Sequence, residues 1–174
     1  AVGNYEKEKD AEKYEELKFK EDNSLGYPAA YKNVIGVGSV HRLYGHVDDV
    51  YGLNKVSKFS KKNESVHIVA PGEEVYTTIV DDKYSHGRLY GTSLSAPLVS
   101  GAVALLKQAN PKLTPAEIMD ILAESARDDS KGDGYDTAYG HGVLNVAAAI
   151  ELAVGNEMLA PDTVTYTVSA KDSE

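Results

Sequence analysis

The stretch Gly91-Thr92-Ser93-Leu94-Ser95-Ala96-Pro97-Leu98-Val99-Ser100-Gly101-Ala102-Val103-Ala104-Leu105-Leu106 runs from a cluster of small hydroxyl residues straight into a long apolar segment. Between Leu94 and Ala109, the residues Leu98, Val99, Ala102, Val103, Leu105 and Leu106 leave almost no polar face, which predicts a helix buried on most sides. Proline lacks the N–H that a helix interior needs, so Pro97 is expected in the first turn, with the helix starting close to Ser93. Gly101 costs about 1 kcal/mol relative to alanine and suggests close approach of a neighbouring backbone. Ser93 therefore stands where the chain enters a buried helix, whose first N–H groups and dipole favour negative charge. Two readings follow from these residues alone. Serine is a preferred helix cap, or Ser93 is a nucleophile whose oxyanion product the helix terminus stabilises.

Upstream of this segment, Val34-Ile35-Gly36-Val37-Gly38-Ser39-Val40 is rich in β-branched residues and predicts a buried strand. Val66-His67-Ile68-Val69-Ala70 predicts a second, stopped by Pro71-Gly72. A third is expected over Val75 to Val80, followed by a polar loop from Asp81 to Gly87. Downstream, Thr114-Pro115-Ala116-Glu117 is a capping box with proline at the first helical position. Ile118, Ile121 and Leu122 mark the buried stripe of that helix. A last helix runs from about Asn145 through Val154 to Gly155. Thr163-Val164-Thr165-Tyr166-Thr167-Val168 alternates with period two and predicts a strand; residues 156–174 are thus a linker and strand leading to a possible further β domain. Helices interspersed with apolar strands indicate an α/β layer fold.

Residues 5–23 are dominated by Glu, Lys and Asp, with Tyr5, Ala11, Tyr14 and Leu17 as sparse apolar points. The spacing of Tyr14 and Leu17 suits one face of a short helix; the plain reading is a solvated surface insertion, and the alternative, a part in shaping a binding cleft, rests only on its neighbour Asn4. Lys55, Lys58, Lys61 and Lys62 form a small basic cluster that a solvated loop explains.

Composition limits the function classes. The 174 residues suffice for one domain with a real core. A net charge of −9 argues against nucleic acid, whose phosphates require clustered Lys and Arg. Cysteine is absent, which removes disulfides, thiolate catalysis and Cys-based zinc sites. No apolar run approaches the ~20 residues of a membrane span, and Ala1-Val2-Gly3-Asn4 leads into charge rather than into a signal-peptide core.

Five segments in order carry a resemblance. Gly91-Thr92-Ser93-Leu94-Ser95-Ala96-Pro97, with Val99 and Gly101, resembles the nucleophile motif of the subtilisin-like serine proteases. Ala1-Val2-Gly3-Asn4 resembles their oxyanion segment, and Tyr27-Pro28-Ala29 with Asn33-Val34-Ile35 and Val37-Gly38 resembles the stretch that follows it. Val69-Ala70-Pro71-Gly72 is similar to the family's strand-to-turn segment, and Tyr139-Gly140-His141-Gly142-Val143-Leu144-Asn145 to the turn before its last helix. The resemblance covers residues 1 to about 155, with 5–23 as the main departure. It implies a three-layer α/β sandwich with a mostly parallel sheet, of which this chain carries the C-terminal portion.

What the resemblance implies for chemistry is peptide-bond hydrolysis through an acyl-enzyme. Ser93 is the expected nucleophile, and the Asn4 amide with the Ser93 N–H the expected oxyanion donors. Ala1 and Gly3 are expected to line one side of the pocket for the residue before the scissile bond, with Gly91 and Thr92 approaching from the nucleophile side. The family order is Asp, His, Ser, so the acid and base are expected upstream of Ala1, on a partner half of the catalytic domain. Of His41, His46, His67, His86 and His141, none stands in the family's base motif, and each is expected to be structural or solvent-exposed.

No cofactor is expected here, although calcium is possible in a longer parent. Asp129-Ser130-Lys131-Gly132-Asp133-Gly134 only faintly echoes a calcium loop, because Lys131 and Gly140 occupy ligand positions. His67 stands where many family members carry the Asp of a weak cation site. The family setting implies an extracellular or cell-surface protease acting on peptides or proteins. Two other readings stay open: a noncatalytic peptide-binding module, and an unrelated α/β hydrolase, which Ser95 disfavours because a second glycine belongs there. A sheet edge and part of Leu94–Ala109 left uncovered predict self-association, strand exchange or co-purification with the other half.

Overall fold

The computed structural model describes residues 1–7, 19–42, 54–80, 83–84, 89–128 and 134–155. In chain order these form β1 (Glu6–Lys7), β2 (Phe19–Lys20), β3 (Val37–Arg42), β4 (Asn54–Val56), β5 (Ile68–Pro71), β6 (Thr78–Ile79), β7 (Lys83–Tyr84), α1 (Thr92–Ala109), α2 (Pro115–Ser125) and α3 (Val146–Val154). The central sheet has the order β4-β3-β5. β3 runs parallel to β5, with Val37 opposite Ile68 and Ser39 opposite Ala70, and antiparallel to β4. The parallel direction continues through a bridge between Val69 and Val143.

Side chains alternate across a strand, and here the alternation sorts two cores. Val37, Ile68 and Ala70 face the helices and pack with Val99, Leu106, Ile118, Leu122, Ala149 and Ala153. Val40 and Val69 face the other way and pack with Val2, Ala29, Val66 and Val143. Leu106 and Leu122 are wholly buried, and each such leucine contributes about 1.5–3 kcal/mol. The result is an α/β arrangement in which one face of β3 and β5 carries all three helices.

The capping box of α2 is formed: the Thr114 hydroxyl accepts from Glu117 N–H, and the Glu117 carboxylate accepts from Thr114 N–H. α3 begins at the Asn145 cap and ends at Gly155. Other expectations change. β3 starts three residues later than Val34, because Val34 N–H closes a turn onto the Tyr31 carbonyl. Of Val75–Val80 only Thr78–Ile79 is strand, in an exposed hairpin with β7 that has no core face to bury. The two ends of the charged run pair as an antiparallel ladder, Glu6 with Lys20 and Lys7 with Phe19. The helical face expected at Tyr14 and Leu17, the loop 81–87 apart from β7, the calcium-like residues Asp129–Asp133, His46, His86 and the strand 163–168 all lie outside the described residues.

α1 departs from the expectation of a helix buried on most sides and meets the expectation that part of it is left uncovered. Only Thr92, Ser95, Val99, Ala102 and Leu106 are buried along it, whereas Leu98 and Leu105 remain 42% and 44% exposed. The helix is thus covered on one side. Gly101 meets no heavy atom within 4 Å of the position a Cβ would take, so no backbone approaches it among the described residues. Pro97 sits in the second turn, not the first; without its N–H, the helical bond to the Ser93 carbonyl cannot form.

Candidate active site

Residues 1–5 form an extended segment pinned on both sides. Val2 N–H donates to the Val37 carbonyl (2.9 Å), Tyr5 N–H to Phe59 (2.7 Å), and Lys61 N–H to the Gly3 carbonyl (3.1 Å). Asn4 bridges Ser60 in this ladder, which presents its side chain to the start of α1. There the Asn4 Oδ1 accepts from both Thr92 N–H (3.0 Å) and the Thr92 hydroxyl (2.9 Å). With its carbonyl end taken, the amide turns its Nδ2 donor the other way.

That donor and Ser93 meet around one glycine. A Cβ on Gly91 would lie 3.2 Å from Ser93 Oγ, 3.3 Å from Asn4 Nδ2 and 3.8 Å from Ser93 N. Gly91 has φ +149°, in the region that favours glycine, and caps α1 with no side-chain bond of its own. In the first turn, Thr92 N–H goes to Asn4 and Leu94 N–H to the Gly91 carbonyl (2.9 Å). Ser93 N–H has no acceptor among the described residues. Ser93 is not the cap residue that one reading of the sequence allowed; it occupies the second helical position, exposed.

A hydroxyl-rich layer supports this turn. Gly91 N–H donates to the Gly72 carbonyl (2.8 Å), and Gly72 N–H to the Val40 carbonyl (3.1 Å), which ties the turn before Ser93 to β3. A Cβ on Gly72 would overlap Ser95 Oγ and Ser39 Oγ and crowd the Gly91 carbonyl at 2.8 Å. Ser39 in turn bonds Ser57 Oγ (2.8 Å), and its N–H donates to Ser60 Oγ (3.0 Å). Ser39, Ser57, Ser60 and Ser95 are all fully buried. The sequence showed Gly72 only as a strand stop, since its packing role depends on residues 39 and 95 arriving from elsewhere in the chain.

The other expected site residues fall as follows. Gly91 and Thr92 are buried, Gly3 is half-buried and Ala1 is exposed as a residue. Thr92 serves as the clamp on Asn4. The three described histidines have other engagements: His41 Nδ1 lies 3.6 Å from Glu73, while His67 Nε2 bonds the Met119 carbonyl (3.0 Å) and its ring meets that of His141 at 5.1 Å. Among the described residues no three His, Asp or Glu side chains group as a metal site. Glu6, Glu21, Asp22 and Lys61 line a cavity together with Asn4; the sequence placed the first three in a solvated insertion, with a cleft-shaping role left open by the neighbouring Asn4, and Lys61 in a basic loop cluster.

Comparison with known proteins identifies a family. The model of the subtilase family matches residues 1–142. Over 131 residues the chain is 37% identical to the major intracellular serine protease of Bacillus subtilis (strain 168), spanning 74% of this chain and 37% of that protein. It is 35% identical over 129 residues to subtilisin DY of Bacillus licheniformis, again 74% of this chain and 41% of the relative. Among solved structures, fervidolysin from Fervidobacterium pennivorans, described as a keratinolytic enzyme related to subtilisin, superposes with a TM-score of 0.62 at 29% identity over 72% of this chain and 20% of its own. The CspB protease of Clostridium perfringens gives 0.61 at 29% over 76% and 29%. The chain therefore spans about two fifths of the length of the curated relatives it matches.

Proposed function

Because the chain belongs to the subtilase family, we propose that it carries the nucleophile and oxyanion-hole portion of a serine endopeptidase. The observation that supports this most is the Asn4–Thr92 clamp, which leaves the Asn4 amide, the Ser93 N–H and the Ser93 hydroxyl around the same gap at Gly91. In the proposed reaction, Ser93 Oγ attacks the peptide carbonyl as a base removes its proton. Charge then develops on the carbonyl oxygen, where two fixed donors stabilise it without reorganisation. Collapse expels the amine, which takes the proton back, and water hydrolyses the acyl-serine. By family analogy the base is a histidine oriented by an aspartate, both preceding the nucleophile in the family's order.

The upstream part of such a domain also has a surface to pack against. Leu98 and Leu105 face solvent from the outer side of α1, and a complete three-layer sandwich with a mostly parallel sheet would cover them. Substrates are peptides or proteins, as the proteases among the relatives imply. Subtilisin relatives favour an extracellular setting, yet one relative is named as intracellular, so the family alone assigns no compartment. No helix among the described residues is long and apolar enough to cross a membrane.

The test is labelling with a fluorophosphonate. The chain combined with the upstream half is expected to incorporate the probe, and Ser93→Ala to abolish it. Absence of labelling in the reconstituted protein supports the noncatalytic peptide-binding reading instead.

A further inference from the structure

Asn4 borders two spaces. Its amide shares the gap at Gly91 with Ser93, and its side chain also walls a cavity of about 450 Å³ whose other sides are Glu6, Glu21, Asp22 and Lys61. The charged run builds this cavity. β1 carries the chain past Asn4 with Glu6, and β2 brings it back so that Glu21 and Asp22 join the same lining. Polar bonds hold the return in place. Lys61 Nζ donates to Asp22 Oδ2 (3.1 Å) and Ser24 Oγ (3.1 Å), Asn63 Nδ2 donates to the Ser24 carbonyl (3.1 Å), and the Tyr5 hydroxyl donates to Asn23 Oδ1.

Among the described lining residues the charges do not balance. Bonds from the Ser24 N–H and hydroxyl and from Lys61 pull the Asp22 carboxyl down to about 2, so Asp22 and Lys61 stand as a neutralised ion pair. Glu6 and Glu21 have no cationic partner among the described residues. The volume lies within the range of sites that take small ligands and side chains, and one of its walls is the residue that a reacting peptide carbonyl must reach.

We infer that this cavity is a substrate subsite for a cationic side chain, lysine or arginine, within two residues of the scissile bond, with Glu6 and Glu21 as its specificity-determining residues. The inference rests on the reading of Asn4 as an oxyanion donor: a peptide whose carbonyl meets the Asn4 amide lays the neighbouring side chains within reach of the cavity that Asn4 walls. Glu6 and Glu21 are exposed, so the attraction is modest and salt-sensitive. An acidic side chain at the same place meets repulsion instead, which widens the discrimination.

The experiment uses the chain reconstituted with its upstream half and peptides carrying Lys, norleucine or Glu at each of the two positions on either side of the scissile bond. At one position, kcat/KM is expected to favour Lys over Glu by about five- to tenfold at low salt, with norleucine between them. The ratio narrows in about 0.5 M NaCl, and Glu6→Gln with Glu21→Gln brings it within about twofold. A cutting enzyme with no cation preference, or with one that survives both salt and the double substitution, overturns the inference and leaves the protease reading intact. If no peptide is cut and no fluorophosphonate is incorporated, the protease reading fails. Fluorescence anisotropy of the same peptides on the Ser93→Ala protein then decides the subsite: tighter binding of the Lys peptides, lost in the double variant, supports it, and equal binding of Lys and Glu peptides overturns it.

Discussion

The side-chain carbonyl of Asn4 is held by both donors of Thr92, the backbone N–H at 3.0 Å and the hydroxyl at 2.9 Å, 88 residues away in sequence. This pair of hydrogen bonds fixes which end of the amide faces Ser93. Rotated by half a turn, Asn4 would present an acceptor where the proposed reaction develops an oxyanion, and would oppose it.

Asn4→Leu in the reconstituted enzyme is expected to lower kcat by about 10²–10³ with little change in KM, which is the loss that removing the oxyanion-hole asparagine causes in subtilisin itself. Thr92→Val keeps the N–H bond and the side-chain shape but removes the hydroxyl. One neutral hydrogen bond is worth about 0.5–1.5 kcal/mol, so its loss is expected to lower kcat by about three- to tenfold. Steady-state kinetics on one peptide decides the matter: a Thr92→Val enzyme with unchanged kcat would show that the clamp is dispensable.

The Gly91–Gly72 backbone bond positions the turn before Ser93, and the space at Gly72 is filled by Ser39 and Ser95. Gly72→Ala must displace two buried hydroxyls and a backbone carbonyl together. Overpacking of this kind costs about 1–3 kcal/mol, read as a lower urea midpoint at unchanged slope. A Gly72→Ala chain of wild-type stability would mean that the serine layer has room to move.

How much of this was legible in the sequence depended on range. The α2 capping box needs only Thr114 and Glu117, three residues apart, and α3 needs only its Asn145 and Gly155 ends; local chemistry specifies both. Asn4 and Ser93 were legible by resemblance, yet the Thr92 hydroxyl as the clamp was not, since nothing local to Thr92 points to residue 4. The β1–β2 ladder escaped because two-residue strands carry no alternation to read. Gly101 misled for the opposite reason. A glycine in a helix signals close approach only when a neighbour is there, and among the described residues α1 has none on that side.

His67 predicts a pH dependence. Its ring links β5's leading edge to α2 through the Met119 carbonyl. Burial is the main force that pushes its pKa below the ordinary 6.5; the Met119 carbonyl and Asp120 oppose this, and His141 adds to it. Tyr135, flanked by Glu64 and Asp136, closes the cluster against His141. The unfolded chain binds the proton more readily than the folded one, so this stability is fully present above pH 6.5 and is lost as pH falls through the lower folded value. Unfolding free energy measured from pH 7.5 down to 5 is expected to fall, and His67→Gln to flatten part of that decline. A slope identical in the variant would place the acid sensitivity elsewhere.

The outer face of α1 gives the last prediction. Leu98 and Leu105 are exposed at 42% and 44%, seven residues apart and hence on one side of the helix. Replacing exposed residues usually changes stability by no more than about 0.5 kcal/mol, so Leu98→Glu with Leu105→Lys is expected to leave the chain's own unfolding nearly unchanged. Its effect falls on association instead, because burying two charged side chains without partners opposes any apolar docking. Sedimentation velocity is expected to show the wild-type chain self-associating, the double variant shifted toward monomer, and pull-down of the upstream half weakened at least tenfold. A wild-type chain that sediments as a compact monomer and captures the upstream half no better than the double variant does would show that this face is not where the two halves meet.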